Sequence, residues 1–235
     1  MEPKSVDAGR GVNWWTDGWT LFMKNPGMWV VLGLVLLVIC VVLGFVPLLG
    51  SLATALLMPA FIASWMLACR KQEGGGTLEV GDLFLAFKDQ LNPLLVLGAL
   101  SLAATFAVLV VMWALGVGAM VGMGMGAAHH SLGGVMAAAG GAVITLLVGL
   151  ALFVPISMAF WFAPALVVFD GVAPVDAIKA SFAACLKNVV PFLVYGVVGL
   201  VASIVASIPI GLGWLVLGPV LLHTIYLGYR DIFAR

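Results

Sequence analysis

The formal charges of this chain are confined to four segments, and between them lie three stretches with none: Asn25 to Cys69, Gln90 to Phe169 and Asn188 to Tyr229. These stretches hold 45, 80 and 42 residues. A bilayer core about 30 Å thick takes roughly 20 apolar helical residues to cross, so each stretch has room for two crossings. The expected fold class is therefore an all-α integral membrane protein, with six transmembrane helices arranged as three parallel-oriented hairpins. An even number of crossings per stretch returns every charged segment to the same face.

Composition agrees: with 64% hydrophobic and 9% charged residues, the 235-residue chain has too little polar surface for a soluble globule. The mean hydropathy is +1.23. Ala53-Thr54-Ala55 has the form of a leader-cleavage site. The apolar stretch from Met28 to Leu49 is longer than an ordinary leader core, however, and a mostly polar segment precedes it, so a retained helix is expected. A net charge of zero, with basic and acidic residues interleaved, excludes a nucleic-acid partner on electrostatic grounds.

Lys and Arg concentrate in short loops on the cytoplasmic side of a membrane. All ten here, from Lys4, Arg10 and Lys24 to Arg230 and Arg235, fall in the four charged segments. Both termini are accordingly expected in the cytoplasm. The outward connections near 46–50, 120–134 and 208–213 carry no charge. Cys40, Cys69 and Cys185 lie in helices or on the reducing side and read as small buried residues.

The polar segments share a pattern. A short amphipathic stretch precedes each hairpin, with apolar positions at Trp15, Trp19 and Phe22, at Val80, Leu83, Phe84 and Phe87, and at Val175, Ile178, Phe182 and Cys185. Three- and four-residue steps put these on one helical face. Each stretch ends in an Asn followed by a Pro: Asn25 and Pro26, Asn92 and Pro93, Asn188 and Pro191. Pro suits a helix's first turn and biases its predecessor out of the helix, so these residues mark corners from membrane surface to membrane interior. The unit is a cytoplasmic amphipathic interfacial helix followed by a hairpin. As one membrane domain, 1–235 divides into 12–69 (spans 27–46 and 48–69), 79–169 (spans 93–118 and 140–168) and 174–229 (spans 189–208 and 210–228). Three like-oriented units imply an approximate three-fold arrangement about the membrane normal.

The helices contain no Asp, Glu, Lys or Arg, which are the usual marks of ion coupling. His223 is the exception and reads as a hydrogen-bonding group near the interface. Asp82, Asp89, Asp170, Asp176, Lys179, Lys187 and Ser181 are spaced as polar faces of surface helices, so no catalytic residue and no cofactor is expected. The outer connection contains Met120, Met123, Met125, His129, His130 and Met136, whose thioethers and imidazoles suit Cu(I). Its irregular spacing and the absence of a carboxylate nearby favour a glycine-rich connector over a metal site. The same region, through Gly141, leaves room for a re-entrant or partly helical excursion.

Phe162-Ala163-Pro164, Asp170, Pro174-x-x-Ala177-x-x-Ser181 and Asn188-x-x-Pro191 together resemble the YciC-like bacterial inner-membrane proteins, which are related to the membrane domain of some glycerophosphodiesterases. The resemblance covers about 30 residues. It implies a six-helix inner-membrane protein of unestablished function and supplies no active-site residues. The expected role is non-catalytic: organising the membrane, its lipids or a partner through the interfacial helices, with Trp14, Trp15, Trp19 and Trp29 near the first membrane entry as an aromatic collar. Its partners are the bilayer and either a membrane protein or a second copy. The alternative is a passive channel, or a lipid or small-solute transporter, through a pseudo-three-fold centre.

Overall fold

The computed structural model of the protein describes residues 2–128 and 132–233, and the side chains of 117–135 and 137–138 lie outside that description. Every regular element among the described residues is helical. In chain order they are α1 (Arg10–Met23), α2 (Pro26–Gly44), α3 (Leu49–Glu73), a 3-10 turn (Val80–Phe84), α4 (Leu85–Asp89), α5 (Leu91–Ala128), α6 (Leu132–Trp161), α7 (Ala163–Asp170), α8 (Pro174–Lys187), α9 (Val189–Ser207) and α10 (Trp214–Phe233). The chain forms two compact units, Met1–Ala99 with Met158–Arg235, and Leu100–Ser157.

Among the described residues, five segments are long and apolar enough to cross a bilayer: Pro26–Gly44, Leu49–Glu73, Leu91–Gly116, Ala139–Asp170 and Val189–Ser207. Even the 19 residues of α2 rise about 28 Å, close to a hydrocarbon thickness. The sixth expected span, 210–228, falls short of that standard. Gly211 (φ +80°) and Ile210 (φ +56°) belong to a turn, so α10 starts only at Trp214. It then carries His223, Tyr226, Tyr229, Arg230 and Asp231, which lower its apolar content.

Other boundaries shift for local reasons. Helix α5 runs to Ala128 and α6 begins at Leu132, so most of the expected connection at 120–134 is helix. A helix satisfies its own backbone, as apolar surroundings demand. The expected span 140–168 is interrupted at Phe162, because Pro164 has no N–H and cannot continue the ladder from α6 into α7.

In the larger unit α10 packs against α1, α2, α3 and α9, while α3 packs on α4 and α7 on α8. Its core is aromatic. Trp29 lies 5.2 Å from Trp65 and 4.3 Å from His223 between ring centroids, and Trp15 stacks on Tyr195 at 4.9 Å. Gly11 lets α1 close on α9: a Cβ there would meet the Pro191 carbonyl oxygen at 2.3 Å. In the smaller unit, the outer parts of α5 and α6 approach where Gly149 admits Met112, and Phe106, Trp113 and Phe153 are exposed.

Candidate functional site

Side chains from all four charged segments meet around the C-terminal end of α10. Arg230 donates both available bonds of one guanidinium nitrogen to Glu73 on α3, at 2.6 and 2.7 Å, and Tyr226 donates to the same carboxylate at 2.7 Å. Tyr229 donates to Asp170, the last residue of α7, at 2.6 Å. Asp231 accepts from Arg10 and, at 2.7 Å, from the Trp14 indole of α1. Arg70 lies 4.5 Å from the centre of the Phe169 ring. Because paired charges cost least where their partners and water are close, this is a single polar layer at one end of the unit. Residues of all four charged segments are thus joined by direct contact.

Glu73, Tyr226, Tyr229 and Asp231 are positions of this cluster that sequence reasoning missed. Their signal was present: residues 226, 229 and 230 recur at helical steps, so one end of an otherwise apolar helix carries a polar face. Asp82 was read as part of a solvated face. It is buried, at 3% exposure, where it accepts from Lys71 Nζ at 2.8 Å and from the Glu79 N–H at 2.8 Å. Asp82 also occupies the third position of a capping box that starts the 3-10 turn.

The expected corner residues divide by role. The Asn25 side chain accepts the Met28 N–H at 3.3 Å and Pro26 opens α2, a capped corner. Asn92 and Pro93 instead lie inside α5, and the break falls at Gln90. Asn188 precedes α9 but does not cap it. Its carboxamide oxygen accepts the Val6 N–H at 2.8 Å, and its Nδ2 donates to the carbonyls of Lys4 and Ala184, both at 2.9 Å. The N-terminal segment is therefore clamped to the α8–α9 junction. Pro191 is buried beneath Gly11.

Of the tryptophans expected at a surface collar, Trp14, Trp15 and Trp29 are core residues and Trp19 is 49% exposed. The Trp15 indole donates to the Tyr195 carbonyl at 3.1 Å. This follows from three sectors on α1. Gly11, Trp14, Trp15, Gly18, Leu21 and Phe22 face the protein, Val12, Trp19 and Met23 form an exposed apolar stripe beside them, and Arg10, Asn13, Asp17 and Thr20 complete the circle. Helix α8 repeats the scheme. On α8, Ala177, Ser181, Ala184 and Cys185 are buried, Val175 and Leu186 are exposed, and Asp176, Lys179 and Lys187 lie beyond them. In the 3-10 turn and α4, Leu83 and Ala86 are buried while Val80 and Phe84 are exposed.

His223 is fully buried, 3.3 Å from the Gly18 carbonyl through Nδ1. A carbonyl only accepts, so Nδ1 carries the proton. The hydroxyls of Thr54, Thr145, Ser203 and Ser207 each donate to the carbonyl four residues earlier, which spends their protons within their own helices. Among the described residues no group of three or more His, Cys, Asp or Glu is arranged to hold a metal. His129 and His130, and the side chains of Met120, Met123 and Met125, lie outside the described residues.

A probable inner membrane protein of Burkholderia thailandensis is 34% identical to this chain over 206 residues, covering 83% of the chain and 74% of that relative. The chain belongs to the family of that probable inner membrane protein. No protein-family profile matches the chain, and no solved structure does. Membership agrees with the five membrane-length helices in making it a multi-pass membrane protein.

Proposed function

We propose that the protein is a non-catalytic, six-span component of the bacterial inner membrane, with both termini and all charged segments on the cytoplasmic side. Its short helices α1, α4 and α8 lie in the headgroup layer and organise lipids, or a protein seated among them, against that leaflet. The three-sector helices carry this reading. A two-faced helix on a soluble protein needs only a buried and a solvated side, whereas a stripe of Val12, Trp19 and Met23 between the two answers to a third medium. Interfacial Trp suits that depth, with an apolar ring and a polar N–H.

The polar side chains support the same reading. Glu73, Asp82, Asp170 and Asp231 are engaged by partners in the protein instead of converging on a cleft, so their chemistry is spent on holding helices. In this reading α10 is the sixth crossing, its polar end set among the other charged segments. The motif running from Phe162 to Pro191 that resembles the YciC-like proteins lies in the part that builds the layer.

Two measurements test the proposal. In intact cells, a membrane-impermeant maleimide is expected to leave Lys179→Cys unlabelled until the inner face is opened, and labelling from outside overturns the orientation. In reconstituted vesicles the protein is expected to pass neither ions, small solutes nor labelled lipids. Protein-dependent flux would favour transport through a pseudo-three-fold centre instead.

A further inference from the structure

A groove of about 450 Å³ runs between α2, α3 and α10, lined by Gly33, Leu36, Leu37, Cys40, Met58 and Trp65 on one side and by Gly211, Trp214, Leu215, Gly218, Pro219, Leu221 and Leu222 on the other. No charged residue borders it. Two of its walls, α2 and α3, are membrane-length segments, so what fills it comes from the bilayer. Two glycines keep it open. A Cβ on Gly218 would meet nothing within 4 Å, and one on Gly33 would meet only ordinary contacts, with Pro219 at 3.5 Å.

Its dimensions select the occupant. From Trp214 to Leu222 the groove follows α10 for about 12 Å, which gives the 450 Å³ a mean cross-section of at most roughly 38 Å². A helix 10–12 Å across needs roughly 80–110 Å². A hydrocarbon chain, whose carbons pack about 4.0–4.5 Å from their neighbours, needs roughly 16–20 Å². One end is marked as the mouth: Trp214 is partly exposed beside the turn at Gly211, and its indole donates to Ser207 Oγ at 3.2 Å. Trp with a satisfied N–H at the end of a span is placed as at a headgroup boundary. The other end is closed by Trp65, Pro219 and Leu222.

We infer that this groove binds a single phospholipid acyl chain, entering past Trp214 and ending against Trp65. The inference rests on the proposed reading of α10 as a membrane crossing. It deepens that reading by naming the partner as a lipid and its site as this groove.

The test uses the full chain in vesicles of phosphatidylethanolamine and phosphatidylglycerol containing a phospholipid with a photoactivatable acyl chain. Adducts are expected on Cys40 and Met58 within the groove, and also on Val38 and Val41, which are exposed on α2. Gly218→Leu, directed into open space, and Gly33→Leu, directed past Pro219 and Trp65, are expected to lower the groove adducts about tenfold, equivalent to about 1.4 kcal/mol of binding, with the Val38 and Val41 adducts unchanged. Groove adducts that neither substitution reduces would overturn the site. So would crosslinks from Cys40 or Met58 to a second copy of the chain. Loss of adducts from all four positions would instead count against the membrane reading of these helices, which keeps the two failures distinct.

Discussion

The hydroxyl of Ser181 on α8 accepts the backbone N–H of Phe162 at 2.9 Å, and it donates to the Met158 carbonyl at 2.7 Å. Phe162 and Met158 are the two groups that an unbroken helix would have bonded to each other. Ser181 is thus inserted into the ladder where Pro164 ends α6, and it satisfies both sides of the break. Ala177 and Ala184, both fully buried, bring α8 close enough for so short a side chain to reach.

Ser181→Ala leaves the buried Phe162 N–H unpaired and the Met158 carbonyl with only the weak thiol bond from Cys185 at 3.6 Å, with an expected cost of about 1–3 kcal/mol. For a chain of this size that lowers the unfolding midpoint by about 2–4 °C per kcal/mol, measurable by thermal unfolding in detergent. Ser203→Ala, which removes a hydroxyl bonded only within its own helix, is the control and is expected to change the midpoint little. Equal losses for the two substitutions would deny Ser181 a special role.

The pair Lys71 and Asp82 is unequally buried, with side-chain exposures of 33% and 5%. Removing Lys71 strands the buried carboxylate, whereas removing Asp82 leaves an ammonium that reaches water. Lys71→Ala is accordingly expected to cost more than about 2 kcal/mol, and adding Asp82→Asn to it is expected to recover part of the loss. A double-mutant cycle in chemical unfolding measures this. Strict additivity would mean that the ion pair contributes nothing.

Burial pushes the Cys185 thiol up to about 12. The thiolate is the reactive form, so at pH 8 only about one thiol in 10,000 is reactive, before access is considered. Cys185 is expected to resist maleimide in the folded protein and to react once denaturant opens α8, while Lys179→Cys, on the exposed side of the same helix, labels at once. Rapid native labelling of Cys185 would show that α8 is not packed as described.

Much of the architecture was legible because charge is expensive in hydrocarbon: its absence over long runs located the spans, and its grouping anticipated the shared polar layer. Asn25 and Pro26 were legible for a local reason, since capping depends on neighbours in sequence. What escaped was whatever depended on distant partners. Trp14 and Trp15 fit a lipid-facing collar by type alone, and only the packing of α1 on α9 and α10 turns them inward. Asn188 had the spacing of a cap, yet its side chain is taken by Lys4 and Val6 at the other end of the chain. The ambiguity of α10 is physical too, because one helix serves both as an apolar wall and as the centre of the polar layer.

Asn188 therefore makes a sharper prediction than its neighbours. Its side chain bonds the N-terminal segment twice, to the Val6 N–H and the Lys4 carbonyl, and the Lys4 N–H reaches the Ile232 carbonyl at 2.9 Å. Asn188→Ala removes both side-chain bonds and is expected to raise hydrogen exchange at Val6 at least about tenfold, the equivalent of about 1.4 kcal/mol of local opening. Asn188→Asp keeps an acceptor for Val6 but loses the donor to Lys4, so its effect should fall between wild type and Asn188→Ala. Exchange at Trp14 is expected to stay slow in both, since α1 is held independently through Gly11 against Pro191 and through Trp14 to Asp231. If Trp14 loosens together with Val6, the N-terminal segment and α1 open as one unit, and Asn188 holds the helix as well as the strap.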